Sequence, residues 1–289
     1  IPDSQRKDNT GMLTNKVVLI TGAAHRIGAT TARMLHAEGM NILLHYRHSR
    51  EAAEALQAEL NNIRPDSVSL LQADLHDTPG LPDLIENAIK VWGQLDVLIN
   101  NAGILRTSDP ITEEGLDVRF AVNTIAPYLI TKRLLPLMGA SGRIINLSSA
   151  AQSPVNLDAL TGRVSLSDEL EAYAQSKLAI TAWSRVMALS SKGDSPAIIA
   201  VNPGSLLGTK MVKEGFGMAG SDIRIGAEIL IRAALSDEFA TASGKYFDND
   251  SGQFSSPHPD AMDAEMSAAI MLAIEAVLAE TLEPNKKLP

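Results

Sequence analysis

The sequence of 289 residues contains no cysteine. This absence excludes disulfide bonds, zinc sites built from thiolates and any thiol nucleophile. It is also compatible with a reducing compartment. The six histidines show no spacing that is typical of metal ligands, so we expect no metal site.

Long apolar runs are also missing. No run approaches the roughly 18 residues that a membrane-spanning helix needs, and the polar N-terminal segment lacks the apolar core of a signal peptide. We therefore expect a cytoplasmic protein without a membrane partner. Residues 1–15 are predicted to be a disordered tail, followed by a single domain over residues 16–289.

The sequence also has no excess of basic residues: its formal net charge is −9 and its pI is about 5.2. Proteins that bind nucleic acids usually show a basic face, so we expect no nucleic-acid partner. Hydrophobic residues make up 45% and charged residues 20%, which is ordinary for a globular chain with a sizeable core. The length fits one large α/β domain.

What the sequence does contain is an alternation of short apolar runs and longer helical stretches. The runs that predict strands are Lys16–Thr21, Asn41–Tyr46, Ser67–Ala73, Leu95–Asn100, Arg143–Ser148, Ala197–Asn202 and Lys245–Phe247. The stretches that predict helices are Ile27–Glu38, Glu51–Asn62, Leu81–Trp92, Thr112–Met138, Ser167–Lys192, Arg224–Leu235 and Asp260–Glu280. Apolar runs separated by helices indicate a parallel sheet covered on both faces. The predicted fold class is therefore α/β: a single doubly wound, Rossmann-type parallel sheet flanked by helices, which binds ligands at the carboxyl ends of its strands.

The first predicted strand runs into a turn with two glycines, Gly22 and Gly28. Glycine at such a turn lets the backbone approach a pyrophosphate, and the N-terminus of the following helix favours negative charge. His25, Arg26 and Ile27 lie between the glycines and are predicted to contact the same cofactor. Two glycines are a weak signal, and an ordinary strand–helix turn is the alternative. Their place after the first strand of a long α/β pattern favours a dinucleotide.

The second predicted strand ends in Tyr46, Arg47, His48 and Ser49, with no carboxylate before Glu51. An NAD enzyme of this architecture usually places Asp or Glu here, to bond the ribose hydroxyls. A carboxylate would repel a 2′-phosphate, whereas these arginine, histidine and serine side chains can bind one. NADP(H) is therefore the predicted cofactor, and a solvated basic turn is the alternative.

Tyr173 and Lys177 are four residues apart, a spacing that places both side chains on one face of a helix. Reduction of a ketone needs an acid that donates a proton while a hydride arrives, and a free tyrosine has a pKa near 10. A nearby ammonium group stabilises the phenolate and lowers that pKa. The same spacing is common by chance on solvated helix faces, so its meaning depends on its context.

That context resembles the short-chain dehydrogenase/reductase family. The motifs that carry the resemblance occur in the family's order: Thr21-Gly22 with Gly28 (TGxxxGxG), Asn100-Asn101-Ala102-Gly103 (NNAG), Tyr173 with Lys177 (YxxxK), and Pro203-Gly204 (PG). Arg26 stands where the family usually has its middle glycine. It resembles the pteridine-reductase branch, in which an arginine there helps to hold the NADP phosphate. The resemblance covers roughly residues 16–247.

The resemblance implies four catalytic residues, Asn123, Ser149, Tyr173 and Lys177. Ser149 would orient and polarise the substrate carbonyl, with the neighbouring Ser148 as the alternative. Tyr173 would donate the proton, Lys177 would tune its pKa and contact the nicotinamide ribose, and Asn123 would hold a water of a proton relay.

The resemblance also implies further contacts with the cofactor. Asp74 and Leu75, after the third strand, would lie at the adenine. The segment Asn101-Ala102-Gly103 would line the cofactor, and Pro203-Gly204 would lie at the nicotinamide amide. Thr209 would supply a hydroxyl to the amide or the phosphates, although it lies one residue farther from Gly204 than is usual.

Two segments, residues 150–172 and 244–247, depart from the common family pattern. Residues 150–172 form an insertion that either shapes the substrate pocket or is a surface loop. Residues 204–222 are rich in glycine and predict a mobile lid, with a disordered loop as the alternative. Gly244–Phe247 resembles the retinol-dehydrogenase branch, so the two ends of the chain point to different branches and name no substrate. The apolar stripe of the helix at Asp260–Glu280 predicts a core or subunit contact.

The predicted function is that of an NADP(H)-dependent oxidoreductase, a carbonyl reductase acting on a small-molecule carbonyl or alcohol substrate. A protein that binds NADP(H) as a sensor without turnover is one alternative. An epimerase or lyase that uses the same cofactor with transient oxidation is another. The resemblance implies a homodimer or homotetramer, as is common in the family.

Overall fold

The computed structural model describes residues 13–191, 193–205, 207–208 and 220–282. Most of the predicted N-terminal tail lies outside these residues. So do Thr209 and most of the predicted lid segment.

The centre of the fold is one sheet, whose strands lie in the order β3-β2-β1-β4-β5-β6-β7-β8. The strands are β1 (Val17–Ile20), β2 (Asn41–Tyr46), β3 (Val68–Gln72), β4 (Val97–Asn100), β5 (Arg143–Leu147), β6 (Ala197–Asn202), β7 (Tyr246–Asp248) and β8 (Gln253–Ser255). Each neighbouring pair up to β6–β7 is parallel, whereas β7 and β8 are antiparallel. The chain order reverses between β1 and β4, so the predicted doubly wound sheet is confirmed.

Helices cover both faces of this sheet. They are α1 (Arg26–Ala37), α2 (Arg50–Ile63), α3 (Leu81–Trp92), α4 (Val118–Phe120), α5 (Ala126–Leu134), α6 (Leu157–Leu160), α7 (Glu169–Ser190), α8 (Ile223–Leu235), α9 (Asp237–Ala240), α10 (Pro259–Met262) and α11 (Ala264–Leu282). Side chains alternate between the faces along a strand. Val17 and Leu19 of β1 therefore join the core beneath α3, α5, α7 and α11, and Val18 and Ile20 join the core beneath α1, α2 and α8.

The prediction of one continuous helix over Thr112–Met138 is wrong at its start and in its regularity. Gly115 has φ +84°, a conformation that glycine adopts without strain, and helical structure begins only at Val118, after the capping side chain of Asp117. A π-helical turn over Ala121–Ile125 then precedes α5. The turns of chain that carry Asn123 are therefore irregular, which apolar periodicity could not indicate.

The C-terminal part of the fold supports α7. Two helices, α10 and α11, replace the single predicted helix, and they meet at Asp263, whose side chain accepts a hydrogen bond from the Met266 amide. Ile270 and Ile274 of α11 are fully buried in the core that also contains Trp183 of α7. The predicted core contact of this helix is thus confirmed for its inner face. Among the described residues, no helix is both long and apolar enough to cross a membrane.

Candidate active site

A cleft of about 600 Å³ opens at the carboxyl ends of the parallel strands. Its lining brings together most of the predicted site residues: Gly22, His25, Arg26, Ile27, Gly28, Tyr46, Arg47, Ser49, Asp74, Leu75, Asn101, Ala102, Gly103, Ser149, Tyr173, Lys177, Pro203 and Gly204. Asn123 and His48 are not part of this lining, and Thr209 lies outside the described residues. The strand ends thus collect groups that are spread along the chain from Gly22 to Gly204.

The turn after β1 is held by the NNAG segment after β4. The Asn101 amide donates to the carbonyls of Thr21 (2.8 Å) and Gly22 (3.1 Å), and the Ala102 N–H donates to the Thr21 hydroxyl at 3.0 Å. Gly22 has φ +64°, so only glycine adopts this turn without strain. The two motifs therefore form one unit, which fixes the loop before a ligand arrives.

Gly28 allows α1 to start close to this turn. A Cβ atom at this position would lie 2.5 Å from the Gly22 carbonyl oxygen and 2.7 Å from the Asn101 amide nitrogen. Arg26, the first residue of α1, has φ +50°. A left-handed backbone explains why glycine is usual at this position, and the arginine adopts it at a cost of roughly 1–2 kcal/mol. The site keeps the glycine-like turn and adds a guanidinium group to it.

His45 of β2 contacts the turn after β1, and the sequence analysis did not identify it. The Gly22 N–H donates to His45 Nδ1 at 3.0 Å, so Nε2 carries the ring hydrogen and donates to the Ala73 carbonyl at 3.1 Å. Burial lowers the His45 pKa to about 4, which keeps the ring neutral. A histidine in an otherwise apolar strand was the signal that could have identified it.

The end of the cleft at β2 and β3 contains a basic residue, Arg47, and its side chain forms an ion pair with Asp74. Arg47 Nε lies 2.8 Å from Asp74 Oδ2, and Arg47 Nη1 lies 3.4 Å from His76 Nε2. The second Asp74 oxygen accepts from the His76 amide at 2.9 Å. Arg47 and Asp74 are therefore neighbours in one small network, in which the guanidinium compensates the carboxylate.

The two serines after β5 point to different places. The Ser148 hydroxyl lies 2.6 Å from the Thr181 hydroxyl and is buried against α7. The Ser149 side chain instead makes a hydrogen bond with the side chain of Tyr173, and its oxygen accepts from the Ala151 amide at 3.1 Å. The geometry brings Ser149 to the tyrosine, and Ser148 to the helix behind it.

Tyr173 and Lys177 are both buried at the floor of the cleft. Lys177 Nζ donates to the Leu147 carbonyl at 2.7 Å and lies 5.7 Å from the centre of the Tyr173 ring. Burial raises the pKa of Tyr173, and the hydrogen bond from Ser149 opposes that rise. Burial lowers the Lys177 pKa to about 7. A low-dielectric site of this kind disfavours both charged forms, so any charge placed nearby has a large effect on the pair.

Asn123 stands behind the cleft rather than in its wall. Its side-chain oxygen accepts from the Ile104 N–H and its amide donates to the Ile104 carbonyl, both at 2.9 Å. The amide also donates to the Ser176 hydroxyl at 3.0 Å. Asn123 therefore ties the segment after NNAG to the helix that carries Tyr173 and Lys177.

The PG segment after β6 is anchored by carboxylates of the β7–β8 turn. The Asn202 amide donates to Asp248 (2.8 Å) and Asp250 (2.9 Å), and Asp250 also accepts from the Ser205 N–H at 2.7 Å. These acidic residues thus serve as structural partners of the segment. Among the residues that the structure describes, no cluster of His, Asp and Glu is arranged to hold a metal ion.

The insertion over residues 150–172 lies beside the cleft and contributes Ala151 and Leu170 to its wall. It packs on α7 through Gln175, whose side-chain oxygen accepts from the Asn156 N–H at 2.9 Å. Its Gln152 donates to the Ser149 carbonyl at 2.9 Å. The segment therefore borders the site, and its short helix α6 packs against α11.

The comparisons with known proteins decide the family. The family model of the short chain dehydrogenases matches residues 16–219. The chain belongs to the short-chain dehydrogenase/reductase family. It is therefore an oxidoreductase of a family that uses a nicotinamide cofactor and acts on small molecules.

Relatives in this family include two retinol dehydrogenases. Retinol dehydrogenase 13 from Homo sapiens is 29% identical over 273 residues, which cover 88% of this chain and 82% of the relative. Retinol dehydrogenase 12 from Bos taurus is 32% identical over 251 residues, which cover 81% and 78%. Among solved structures, a blue fluorescent protein from a metagenomic library in complex with NADPH is 27% identical, with a TM-score of 0.68 over 83% of this chain and 98% of that protein.

Proposed function

We propose that this short-chain dehydrogenase/reductase is an NADP(H)-dependent carbonyl reductase. The observation that carries the proposal is the convergence of Ser149, Tyr173 and Lys177 in one wall of the cleft that also contains Arg26 and Arg47. Proton-transfer groups and phosphate-binding groups thus share a single cavity. The similarity to a structure in complex with NADPH supports the choice of cofactor.

The residues present fit a dinucleotide of this type. Gly22 and Gly28 leave the space that a Cβ atom would fill, so backbone amides of the turn can approach a pyrophosphate. Arg26 and Arg47 would take the 2′-phosphate, and Asp74 and Leu75 would lie at the adenine. Lys177 and Pro203-Gly204 would hold the nicotinamide end. When bound, the cofactor supplies the hydride.

The protein's own residues would supply the proton. The Ser149 and Tyr173 hydroxyls would both donate to the carbonyl oxygen of the substrate, and the Tyr173 proton would pass to it as the alcohol forms. The Lys177 ammonium group would stabilise the phenolate that remains, because opposite charges at close range favour each other strongly in a buried site. Without such a charge, burial leaves the Tyr173 pKa raised, and reduction would be slow.

Asn123 would act as a positioning residue that does not itself contact the substrate. Its hydrogen bonds to Ile104 and Ser176 hold the wall of the cleft against α7. A relay water bound near Asn123 remains a prediction.

The test is NADPH oxidation against a panel of aldehydes, ketones and quinones, with the Tyr173→Phe variant measured alongside. We expect turnover to fall by roughly 10²- to 10⁴-fold, the usual contribution of general acid catalysis. The dissociation constant of NADPH should stay within about twofold, because the phenolic oxygen is remote from the phosphate loop. Near-normal turnover in this variant would contradict the proposal.

Other outcomes favour the two alternatives. NADPH binding without reduction of any carbonyl compound would favour a sensor protein. A tightly held cofactor that does not exchange during turnover would favour an epimerase or lyase.

A further inference from the structure

We propose that His76 is a further residue that selects the cofactor: its imidazolium form donates a hydrogen bond to the 2′-phosphate of NADP(H), and the ring takes up a proton from solvent as the cofactor binds. The inference rests on the proposed NADP(H)-dependent function and makes its choice of cofactor depend on pH. His76 belongs to none of the family motifs named above.

His76 lies beside Arg47 in the wall of the cleft. Both residues line the cleft, and Arg47 Nη1 lies 3.4 Å from His76 Nε2. A guanidinium group has only donors, so the ring nitrogen is the acceptor of this contact. Nε2 therefore carries no hydrogen in this arrangement, and the ring is neutral with its hydrogen on Nδ1.

The carboxylate of Asp74 holds both residues in place. One of its oxygens accepts from the His76 main-chain N–H at 2.9 Å, and the other lies 2.8 Å from Arg47 Nε. The His76 carbonyl also accepts from the Thr78 N–H at 3.2 Å, and the preceding Leu75 is buried. The guanidinium and the imidazole thus keep their spacing at the end of the cleft near β2 and β3.

A phosphate oxygen fits between the two side chains. Hydrogen bonds from charged nitrogens to phosphate are about 2.7–2.9 Å long. Two nitrogens that lie 3.4 Å apart can both reach one oxygen at that distance. Such an oxygen would replace the long contact between Arg47 and His76, and it would need a hydrogen on Nε2. Since Nδ1 keeps its own hydrogen, the ring must gain a proton.

The charges at this end of the cleft favour that proton. The positive charge of Arg47 is already compensated by Asp74, whereas a phosphate monoester carries nearly two negative charges at pH 7 because its second pKa is about 6. Arg26 would supply one positive charge, and the imidazolium of His76 would supply another. NAD(H) has a hydroxyl in place of the phosphate. The proton on His76 therefore stabilises NADP(H) selectively.

The surroundings of the ring keep it neutral until a phosphate arrives. Among the described residues, the groups whose charges act on the ring are Arg47 and His48 after β2, Asp74 after β3 and Asp109 in the segment after β4. Burial and then Arg47 lower the pKa of His76, and the two carboxylates only partly oppose them. A phosphate dianion at hydrogen-bond distance would raise this pKa. Binding would thus couple to the uptake of a proton.

The test measures this proton directly. Calorimetric titrations with NADP⁺ at pH 7 in buffers of different ionisation enthalpy give the number of protons that the complex takes up. NAD⁺ is the reference, because it differs only in the 2′-phosphate. His76→Gln keeps an acceptor for Arg47 but does not titrate. His48→Gln is the matched comparison, since His48 is near the ring and does not line the cleft.

We expect the parent protein to take up more protons with NADP⁺ than with NAD⁺. In His76→Gln this difference should shrink by up to one proton, and in His48→Gln it should remain. The dissociation constant of NADP⁺ in His76→Gln should rise roughly 10- to 100-fold at pH 6.5, the range for a lost charged hydrogen bond. It should rise less than threefold at pH 9, where the ring is neutral. The affinity for NAD⁺ should stay within about twofold at both pH values.

Three results would overturn the inference: a proton difference that survives in His76→Gln, one that disappears in His48→Gln instead, or equal losses of affinity for NADP⁺ and NAD⁺. These titrations contain no substrate, so they separate the inference from the proposed function. If the parent protein binds NADP⁺ more tightly than NAD⁺ without extra proton uptake, only the role of His76 fails. If it binds NADP⁺ no more tightly than NAD⁺, the proposed choice of cofactor fails as well. The reductase activity is decided separately, by turnover in Tyr173→Phe.

Discussion

The Tyr246 hydroxyl donates a hydrogen bond to the main-chain carbonyl of Ser149 across 3.1 Å, although the two residues are 97 positions apart. Gln152 donates to the same carbonyl at 2.9 Å, and the Ser149 hydroxyl oxygen accepts from the Ala151 amide at 3.1 Å. These contacts hold the backbone and the side chain of Ser149 in one orientation beside Tyr173. Tyr246 is thus a candidate positioning residue.

Replacement of Tyr246 by phenylalanine should slow catalysis without weakening cofactor binding. One neutral hydrogen bond contributes about 0.5–1.5 kcal/mol, so kcat should fall roughly 2- to 12-fold. The hydrogen bond from Ser149 opposes the raised pKa of Tyr173. Alcohol oxidation needs Tyr173 as a deprotonated base, so a looser Ser149 should move the acidic, rising limb of the pH–rate profile for that reaction to higher pH.

Tyr128→Phe is the matched control for this experiment. The Tyr128 hydroxyl donates to Glu275 on α11, away from the cleft. Its loss should lower the melting temperature but leave the pH–rate profile unchanged. If both variants alter only the melting temperature, the role of Tyr246 is merely structural.

The close approach at Gly28 predicts a second effect. In Gly28→Ala the new methyl group would meet the Gly22 carbonyl and the Asn101 amide at 2.5 and 2.7 Å. The turn must shift, at a cost of about 1–3 kcal/mol in the free energy of unfolding. The dissociation constant of NADPH, measured by fluorescence titration, should rise more than tenfold because the turn and the start of α1 move apart.

Gly139→Ala serves as the comparison, since a Cβ atom there would have no neighbour within 4 Å. Its free energy of unfolding should change by at most about 0.5 kcal/mol. Equal NADPH affinity in the two variants would show that the turn after β1 does not bind the cofactor.

The sheet and much of the cleft could be predicted from the sequence because local patterns encode them. Apolar runs such as the one at β6 are buried on both faces, and the residues that follow each run must meet at one edge of the sheet. The short edge strand β8 has only three residues, too few for any periodicity. It follows Gly252, which has φ +70°, and it was not predicted.

The residues that the sequence could not reveal act through distant contacts. Tyr246 meets Ser149, and His45 meets Gly22, only after the sheet has formed. The choice between Ser148 and Ser149 likewise depends on which hydroxyl faces α7. Spacing along the chain contains no information about such pairs, since each depends on strand order and on the direction of a side chain.

Arg47 provides a third prediction, on cofactor choice. Arg47→Gln would remove a positive charge from the end of the cleft and leave the Asp74 carboxylate without its partner at 2.8 Å. We expect the dissociation constant of NADPH to rise roughly 10- to 100-fold, the loss of one charged contact. That of NADH, which lacks the 2′-phosphate, should change by less than threefold.

Arg50→Gln is the control, because Arg50 pairs with Glu54 outside the cleft. Equal losses for the two dinucleotides would contradict a role in binding the 2′-phosphate.

The buried ring of His45 predicts how stability depends on pH. Burial lowers its pKa to about 4, whereas the unfolded chain takes up the proton below about 6.5. Between these values the unfolded state binds more protons, so the free energy of unfolding falls as the pH decreases from 6.5 to 4. The full loss is about 3 kcal/mol, from about 1.4 kcal/mol for each pKa unit.

His45→Gln isolates this contribution, because an amide can accept and donate hydrogen bonds without titrating. His36 also has a lowered pKa through burial, and it is common to both proteins, so the difference between them belongs to His45. Urea unfolding at pH 7, 5.5 and 4.5 should show that the free energy of unfolding falls less steeply with decreasing pH in the variant. The difference in slope should correspond to at most one bound proton. Identical pH dependence would mean that the pKa of the His45 ring is not lowered in the folded protein. The turn after β1 would then not depend on a neutral histidine.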